Sequence, residues 1–283
     1  MTMQSYSRDL SISRAVLAQG RGWSVSEATF RTASPRARLE GRHDAVTIVA
    51  VTAGSFRYRA TRGSCMLMPG ALMLGNAGDA FECRYDGSPG DRCISFSYAP
   101  DYFAQLGAGQ AGNGFRTHRA APTPAVIALT AELEGERGRA DAARWEDLAL
   151  RVAGDALAAT DEIEALSSAR DARRVAGALA LIEARYAEPL ALATLAATAR
   201  MSPYHFLRVF RAVAGVTPHQ YLMRSRLRRA AVALARGDRP VTEIALAHGF
   251  GDLSNFVTAF GKLFGASPGA YRRAIQADAR RCA

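Results

Sequence analysis

A repeat in the last third of the chain constrains the fold more than any other sequence feature. The pattern Phe-x3-Phe-x4-Gly-x2-Pro-x2-Tyr occurs twice, beginning at Phe206 and at Phe256. Phenylalanines four residues apart lie on one face of an α-helix, and a glycine after the last turn is typical of a helix end. The repeat therefore predicts two copies of one helical unit, each packing its aromatic face against a neighbouring helix.

Each copy is predicted to be a short helix, a tight turn and an amphipathic helix. The first comprises 192–199, a turn at 200–202 and 203–214, and the second comprises 241–248, a turn at 249–252 and 253–264. The other predicted helices of this part are 173–186, 218–236 and 268–275. Ser202, Thr217 and Ser267 each precede a proline, as a capping hydroxyl does before a helix. This is the outline of a helix-turn-helix, whose second helix enters the DNA major groove.

The helix that connects the two copies has a length suited to DNA. It spans 19 residues, 218–236, and carries Arg224, Arg226, Arg228 and Arg229. At about 1.5 Å per residue it is about 28 Å long. Successive major grooves on one side of B-DNA are about 34 Å apart. One chain can therefore present two recognition helices to successive grooves.

The distribution of charge supports a nucleic-acid partner. The net charge is +10, and residues 170–283 hold 18 basic against 7 acidic side chains, whereas residues 1–169 hold 18 against 19. A basic segment that also carries periodic apolar residues is expected to fold and to face an anionic polymer. The front of the chain is expected to have a different task.

The helical part resembles the DNA-binding domain of the AraC/XylS family of transcriptional regulators. The resemblance covers 173–275 and rests on the strings LATLA from Leu192, MSPYHFLRVFR from Met201, GVTPHQYL from Gly215, IALAHGF from Ile244, SNFVTAF from Ser254 and GASPGAYR from Gly265. More weakly, the front half resembles the cupin-like sensory domain of such regulators, followed by a helical pair often used for dimerisation.

The resemblance implies which side chains contact DNA. In the first unit these are Tyr204, His205, Leu207, Arg208 and Arg211, and in the second they are Leu253, Ser254, Val257, Thr258 and Lys262. A bidentate contact of Arg208 with guanine is the commonest specific type. Alternatively, Leu207 and Val257 belong to the core, and Tyr204 stacks on sugar-phosphate. Relatives commonly carry basic residues where Thr258 and Gly261 stand, so we expect the first unit to dominate affinity.

The front half is predicted to be a β domain, so the whole chain is predicted to be an α+β protein of two domains. Residues from about 23 to 98 are predicted to be β, because short apolar runs lie between turn residues at 46–51, 56–59, 65–68, 81–85 and 93–98, which indicates a sandwich or barrel. A glycine-rich loop follows at 107–114, and helices are predicted at 124–136 and 142–159. The expected domains are a cupin-like effector-sensing and dimerisation domain at 1–165, a linker at 166–172, a domain of seven helices at 173–275 and a tail at 276–283.

Candidate reactive residues in the front half are sparse. A cupin-type enzyme would hold a metal with a close histidine pair, a carboxylate and a later histidine, whereas this part has only His43 and His118. We therefore expect no catalytic site, metal or cofactor. Cys65, Cys83 and Cys93 lie in three candidate strands; buried structural thiols are the simpler interpretation, and an oxidant or soft-metal sensor is the alternative.

These observations predict a ligand-responsive transcriptional regulator rather than an enzyme. The expected partners are double-stranded DNA, RNA polymerase, a small-molecule effector bound by the front domain and a second copy of the chain, contacted through 123–160. From the composition we expect neither a membrane segment nor a secretory leader, and therefore a cytoplasmic location. Rival hypotheses are a cupin-type metalloenzyme with a DNA-binding tail and a nucleoid-like binder without sequence preference. Effector identity, operator and activator or repressor action stay open.

Overall fold

The computed structural model describes residues 2–34, 37–61, 63–85, 90–106, 114–120, 122–158 and 169–281. Residues 107–113 of a glycine-rich loop and residues 166–168 of the predicted linker lie outside these residues. Within them, the chain consists of a two-sheet β domain, a pair of helices and a bundle of seven helices. The predicted α+β class with two parts is confirmed.

The β domain contains eleven strands in the described residues. They are β1 Thr2–Tyr6, β2 Leu10–Gly20, β3 Trp23–Thr32, β4 Arg38–Arg42, β5 Val46–Ala53, β6 Phe56–Ala60, β7 Gly63–Leu67, β8 Leu72–Gly75, β9 Ala80–Tyr85, β10 Asp91–Tyr98 and β11 Arg119–Ala120. All pairings among them are antiparallel, in the orders β1-β4-β9-β6-β7 and β11-β8-β5-β10-β3-β2. Alternating side chains of both sheets meet in one core that includes Phe30, Leu39, Val51 and Tyr85.

Two strands at the start of the chain and one short helix are not predicted from the sequence. The β region was expected to begin near residue 23, but β1 and β2 precede it, and α1 spans Pro100–Leu106. β2 is an edge strand with long exposed stretches, and Val16 is exposed. Such a strand has a weak apolar pattern, because only one of its faces is partly covered.

Helices α2 Pro124–Glu136 and α3 Ala142–Ala158 follow the β domain close to their predicted bounds. Thr123 caps α2 by accepting from the Val126 amide at 3.3 Å. The inward face of α3 packs on the β domain, and α2 packs on the helical bundle. The apolar surface that motivated a dimer contact through 123–160 is therefore largely covered within the chain, and dimerisation stays a prediction.

The described part of the C-terminal bundle comprises α4 Ala169–Ala184, α5 Leu192–Thr198, α6 Pro203–Ala214, α7 Pro218–Arg236, α8 Val241–Ala247, α9 Leu253–Phe264 and α10 Pro268–Arg281. Prolines at the first helical position and glycines after α6 and α9 set several of these bounds. The bounds of α6, α7 and α9 match the sequence prediction. Helix α4 begins inside the expected linker, and α10 continues through most of the expected tail.

The bridging helix α7 is the centre of the bundle and also its contact with the front of the chain. One apolar cluster joins α4, α5, α6 and the start of α7, and a second joins the end of α7 to α8 and α9. Helix α2 lies along α7, so that Ala131 is buried in the second cluster. The position of α7 is thus determined by both halves of the chain.

Candidate nucleic-acid interface

The first helix-turn-helix unit is formed by α5 and α6. Ser202 precedes α6 and accepts from the His205 amide at 3.4 Å, and Gly215 ends the helix with φ of 77°. Phe206 and Phe210 are fully buried, with ring centroids 5.4 Å apart, and they fill the space below α5 and α4. These contacts fix which face of α6 points away from the protein.

The outward face of α6 carries the residues that the family resemblance selected. Tyr204 is 82% exposed, and Leu207, Arg208 and Arg211 are also exposed. His205 is half-buried, and its Nδ1 lies 3.4 Å from Nη2 of Arg208. The alternative that Leu207 belongs to the core is not supported, because its side chain is 36% exposed. The five side chains extend over about two helical turns, and their spacing makes them neighbours on the helix surface.

The second unit repeats this construction with α8 and α9. Asp252 caps α9 by accepting from the Ser254 amide at 2.8 Å, and Gly265 ends the helix with φ of 72°. Phe256 and Phe260 are fully buried, with ring centroids 5.5 Å apart. The residues that were expected to contact DNA are all exposed: Leu253, Ser254, Val257, Thr258 and Lys262.

The two turns share a hydrogen-bond pattern although their sequences differ. In the first turn, the amides of Arg200 and Met201 donate to the carbonyls of Ala197 and Ala196 at 3.0 Å. In the second, Gly249 and Phe250 repeat these bonds to the carbonyls of Leu246 and Ala245. Arg200 has φ of 54°, and Gly249 has φ of 82°. The first unit therefore places an arginine in a left-handed conformation that its counterpart gives to glycine.

The two recognition faces carry three exposed cationic side chains. Among the described residues, no carboxylate forms an ion pair with Arg208, Arg211 or Lys262. Their cationic groups are available to phosphates or to base edges without first breaking an ion pair within the described residues. Two of them, Arg208 and Arg211, lie on α6, and Lys262 lies on α9.

The α7 arginines that the sequence analysis named, Arg224, Arg226, Arg228 and Arg229, do not belong to this face. Arg224 donates to the carbonyl of Pro122, and Arg226 donates to the carbonyls of Tyr186 and Glu188 at 2.7 and 2.8 Å. Part of the positive charge counted in the sequence is therefore used inside the protein. These contacts cannot be predicted from the local sequence, because the partners of the arginines lie on other parts of the chain.

Arg228 and Arg229 surround one buried carboxylate. Arg229 donates to Glu183 at 2.8 Å and lies 4.4 Å from the centroid of the Tyr186 ring, and Arg228 donates to Glu183 at 3.3 Å. Burial alone would raise the pKa of Glu183, but the two guanidinium groups hold it below its ordinary value. The carboxylate stays ionised and ties α4 to α7 behind the recognition helices.

A partly open cavity in the β domain is the other candidate site. It lies between the two sheets, has a volume of about 130 Å³ and is lined mainly by apolar side chains, which include Phe30, Phe56, Met73, Cys83 and Cys93. Burial raises the pKa values of the Cys83 and Cys93 thiols, and burial also raises the pKa of Cys65, to about 11. Protonated thiols are poor nucleophiles, which favours the structural interpretation of these cysteines.

The two front-half histidines flank one tyrosine. His43 Nε2 lies 2.8 Å from the hydroxyl of Tyr58, and the rings of Tyr58 and His118 are 5.9 Å apart. Burial lowers the pKa of His43 to about 4, so the ring is neutral at physiological pH. Within the described ranges no three His, Cys, Asp or Glu side chains form a metal-binding group, and none of the described helices is long and apolar enough to span a lipid bilayer.

Comparison with known proteins identifies the helical part as a helix-turn-helix domain. Residues 195–274 match a family of domains described as a helix-turn-helix domain. The chain is 38% identical to the right origin-binding protein of Escherichia coli K12 over 92 residues, which is 32% of each chain. It is 34% identical to the probable transcriptional regulator LumQ of Photobacterium leiognathi over 91 residues, which is 32% of this chain and 37% of LumQ. The chain thus spans about a third of the length of these relatives.

A solved structure is similar over the same region. The DNA-binding domain of the global transcriptional factor AdpA, in complex with a target DNA, is 34% identical, covers 37% of this chain and 95% of its own, and superposes with a TM-score of 0.36. The sequence matches and the two repeated units together show that the C-terminal part is an AraC-type helix-turn-helix domain.

Proposed function

From this AraC-type domain, we propose that the protein is a sequence-specific DNA-binding transcriptional regulator. The observation that carries the proposal is the pair of exposed recognition faces, on α6 and α9, joined by the 19-residue helix α7. Such an arrangement suits two contacts in successive major grooves on one side of the duplex. A nucleoid-like binder would need neither the paired spacing nor exposed apolar side chains at the centre of each face.

The proposed DNA contacts are those of the two outward faces. On α6 they are Tyr204, His205, Leu207, Arg208 and Arg211, and on α9 they are Leu253, Ser254, Val257, Thr258 and Lys262. Arg208 is proposed to read a guanine, and Leu207 and Val257 to contact thymine methyl groups. The first unit is proposed to dominate affinity because α6 carries two cationic side chains on its face, whereas α9 carries one.

The β domain is proposed to regulate this activity by binding a small molecule. The front of the chain contributes no net positive charge to a phosphate contact, and the β domain contains a partly open, mainly apolar cavity of the kind that binds small ligands. An effector alters DNA binding only if it binds two states of the protein with different affinity. RNA polymerase and a second copy of the chain are further proposed partners, and sedimentation with and without operator DNA tests the latter.

In vitro selection from a random DNA library tests the proposal most simply. The full chain is expected to enrich one motif, and binding to it is expected to weaken steeply with salt, since each neutralised phosphate contributes a slope of about −0.9 in the logarithmic plot. Arg208→Ala should lower specific binding by about 1–3 kcal/mol and non-specific binding less. Arg31→Ala, an exposed arginine of the β domain, is the control.

Absence of an enriched motif would refute the proposed sequence specificity. Equal losses of specific and non-specific binding in Arg208→Ala would show that Arg208 contacts phosphate. Loss of binding in the Arg31 control would show that the β domain itself contributes to the DNA contact, against the proposed division of labour.

A further inference from the structure

The cavity of the β domain is partly open to solvent. Its walls come from both sheets, and the side chains that form them are buried, with the exception of Ile12, Arg14 and Ser95. Two of these exceptions lie on the edge strand β2, and Ser95 is a half-buried residue of β10. The cavity therefore opens beside β2, and its mouth is polar.

The size and the walls of the cavity restrict what can enter. A closed apolar cavity of about 150 Å³ in another protein stays dry and binds benzene, and this one measures about 130 Å³. Tyr85 stacks on Phe30 at 5.1 Å and lies 5.4 Å from Phe56, so the walls present aromatic rings. Such walls suit the faces and edges of one further aromatic ring.

The mouth contains one charged side chain. Arg14 is exposed, and its Nε donates to the Ser26 hydroxyl at 3.1 Å, while no carboxylate of the described residues forms an ion pair with it. A guanidinium beside an apolar cavity binds a carboxylate through two parallel hydrogen bonds. The Ser95 hydroxyl supplies a further donor on the same side.

We propose that this cavity binds a compact aromatic carboxylate, with the ring between the sheets and the carboxylate at Arg14. This deepens the proposed function, because the ligand class is that of the effector. The experiment is calorimetric titration of the full chain with benzoate and with its neutral analogue benzyl alcohol. Benzoate is expected to bind saturably and at least tenfold more tightly than benzyl alcohol, since only benzoate can use the guanidinium.

Three variants make the titration decisive. Arg14→Gln is expected to weaken benzoate binding at least tenfold and to leave benzyl alcohol binding unchanged. Arg31→Gln, an exposed arginine on the outer face of the neighbouring strand β3, is the matched control and should change neither. Ala28→Phe adds a ring inside the cavity and should abolish binding of both compounds.

Absence of saturable benzoate binding, or equal affinities in Arg14→Gln and Arg31→Gln, would overturn the proposal. Because Arg14 is exposed, its variant is expected to fold even if Ala28→Phe does not. DNA binding is measured in the same samples. Intact DNA binding without benzoate binding would remove the ligand class alone, whereas loss of sequence-specific DNA binding would remove the proposed function.

A second inference rests on a buried ionic cluster between the two halves of the chain, which we name the clamp: Arg92, Glu134, Glu183, Arg228 and the carbonyl of Thr52. The side chain of Arg228 is 3% exposed. Its Nη1 donates to Glu134 at 2.6 Å and to the Thr52 carbonyl at 3.3 Å, and its Nη2 donates to Glu183. Glu134 also accepts from Arg92 at 3.3 Å.

The clamp joins three parts that serve different tasks. Arg92 and Thr52 belong to strands of the cavity domain, and Arg92 directly precedes Cys93 in the cavity wall. Glu134 belongs to α2. Arg228 belongs to α7, the helix that connects the two helix-turn-helix units. Replacing a whole buried ion pair by well-packed apolar residues is often neutral or stabilising, although removing only one partner is costly.

We infer that the clamp couples the β domain to DNA binding by restraining α7. The test compares Glu134→Gln with Glu132→Gln in the full chain, by fluorescence anisotropy on the selected DNA motif. Glu132 lies on the same helix and pairs with Arg144 and Arg151 of α3, inside the front half. Glu134→Gln is expected to change DNA affinity at least threefold, and Glu132→Gln less than twofold.

Equal affinities of Glu134→Gln and the wild type would overturn the coupling, and so would equal shifts in the two variants, which would indicate a general loss of stability. Circular dichroism establishes that each variant is folded. Should Glu134→Gln not fold, Arg92→Gln replaces it, because Arg92 lies at the partly exposed end of the clamp. The same threefold criterion then applies to Arg92→Gln.

Discussion

Replacement of Arg228 by methionine is the sharpest test of how the two halves of the chain are held together. Methionine keeps much of the length and apolar stem of arginine but removes the charge. The substitution leaves Glu134 and Glu183 buried, with side chains 15% and 13% exposed. Removing one partner of a buried pair commonly costs about 3–5 kcal/mol, because the other charge is left uncompensated.

The structure places the expected loss at the lower end of that range, about 3 kcal/mol. Glu183 keeps hydrogen bonds from Arg229, Tyr221 and Ser225, at 2.8, 3.0 and 2.9 Å. Glu134 keeps its bond from Arg92. Neither carboxylate is therefore left without a partner when Arg228 is replaced, and part of the pairing energy is retained.

Urea unfolding at pH 7, followed by circular dichroism, measures the loss. The control is Arg185→Met, at an exposed ion pair with Glu188, and it is expected to cause no measurable change. In the double variant Arg228→Met/Glu134→Met the loss should be smaller than the sum of the single losses, since an apolar pair replaces an ionic one. A loss below 1 kcal/mol for Arg228→Met would refute the reasoning.

Three other predictions concern single residues. Arg200→Gly should raise the free energy of unfolding by about 0.5–1 kcal/mol, because glycine adopts the left-handed conformation without strain, whereas Gly249→Ala should lower it by about 1–3 kcal/mol. Burial lowers the pKa of His43 from 6.5 to about 4, so the folded protein keeps this ring neutral. The free energy of unfolding should therefore fall by about 3 kcal/mol as the pH drops from 6.5 to 4, because only the unfolded chain binds the proton readily. His43→Gln should flatten this part of the profile of unfolding free energy against pH. Native Cys65 should react slowly with iodoacetamide at pH 7.5, since its pKa is about 11, and rapid labelling detected by mass spectrometry would contradict this.

The sequence predicts the helical bundle well because its signals are local. Capping side chains, prolines at the first position of α6 and α7, and glycines after α6 and α9 act within a few residues and determine the bounds of these helices. The exposed faces of α6 and α9 follow from the buried phenylalanine pairs. The recognition surfaces can therefore be predicted from the sequence alone.

Features that depend on distant partners are not predictable in this way. The arginines of α7 look like a DNA-facing stripe in the sequence, yet Arg228 bonds to Glu134, 94 residues away. The arrangement of the mouth of the cavity depends on β2, an edge strand with a weak apolar pattern. In both cases the deciding contact is made between elements whose relative placement no local signal specifies.

Hydroxyl-radical footprinting of the full chain on its selected DNA motif tests the central claim most directly. One chain with two recognition helices should protect two segments on one face of the duplex, about one helical turn or 10 base pairs apart. Arg208→Ala should weaken one of them while the second keeps its position. A single protected segment, or uniform protection without a preferred sequence, would contradict the account.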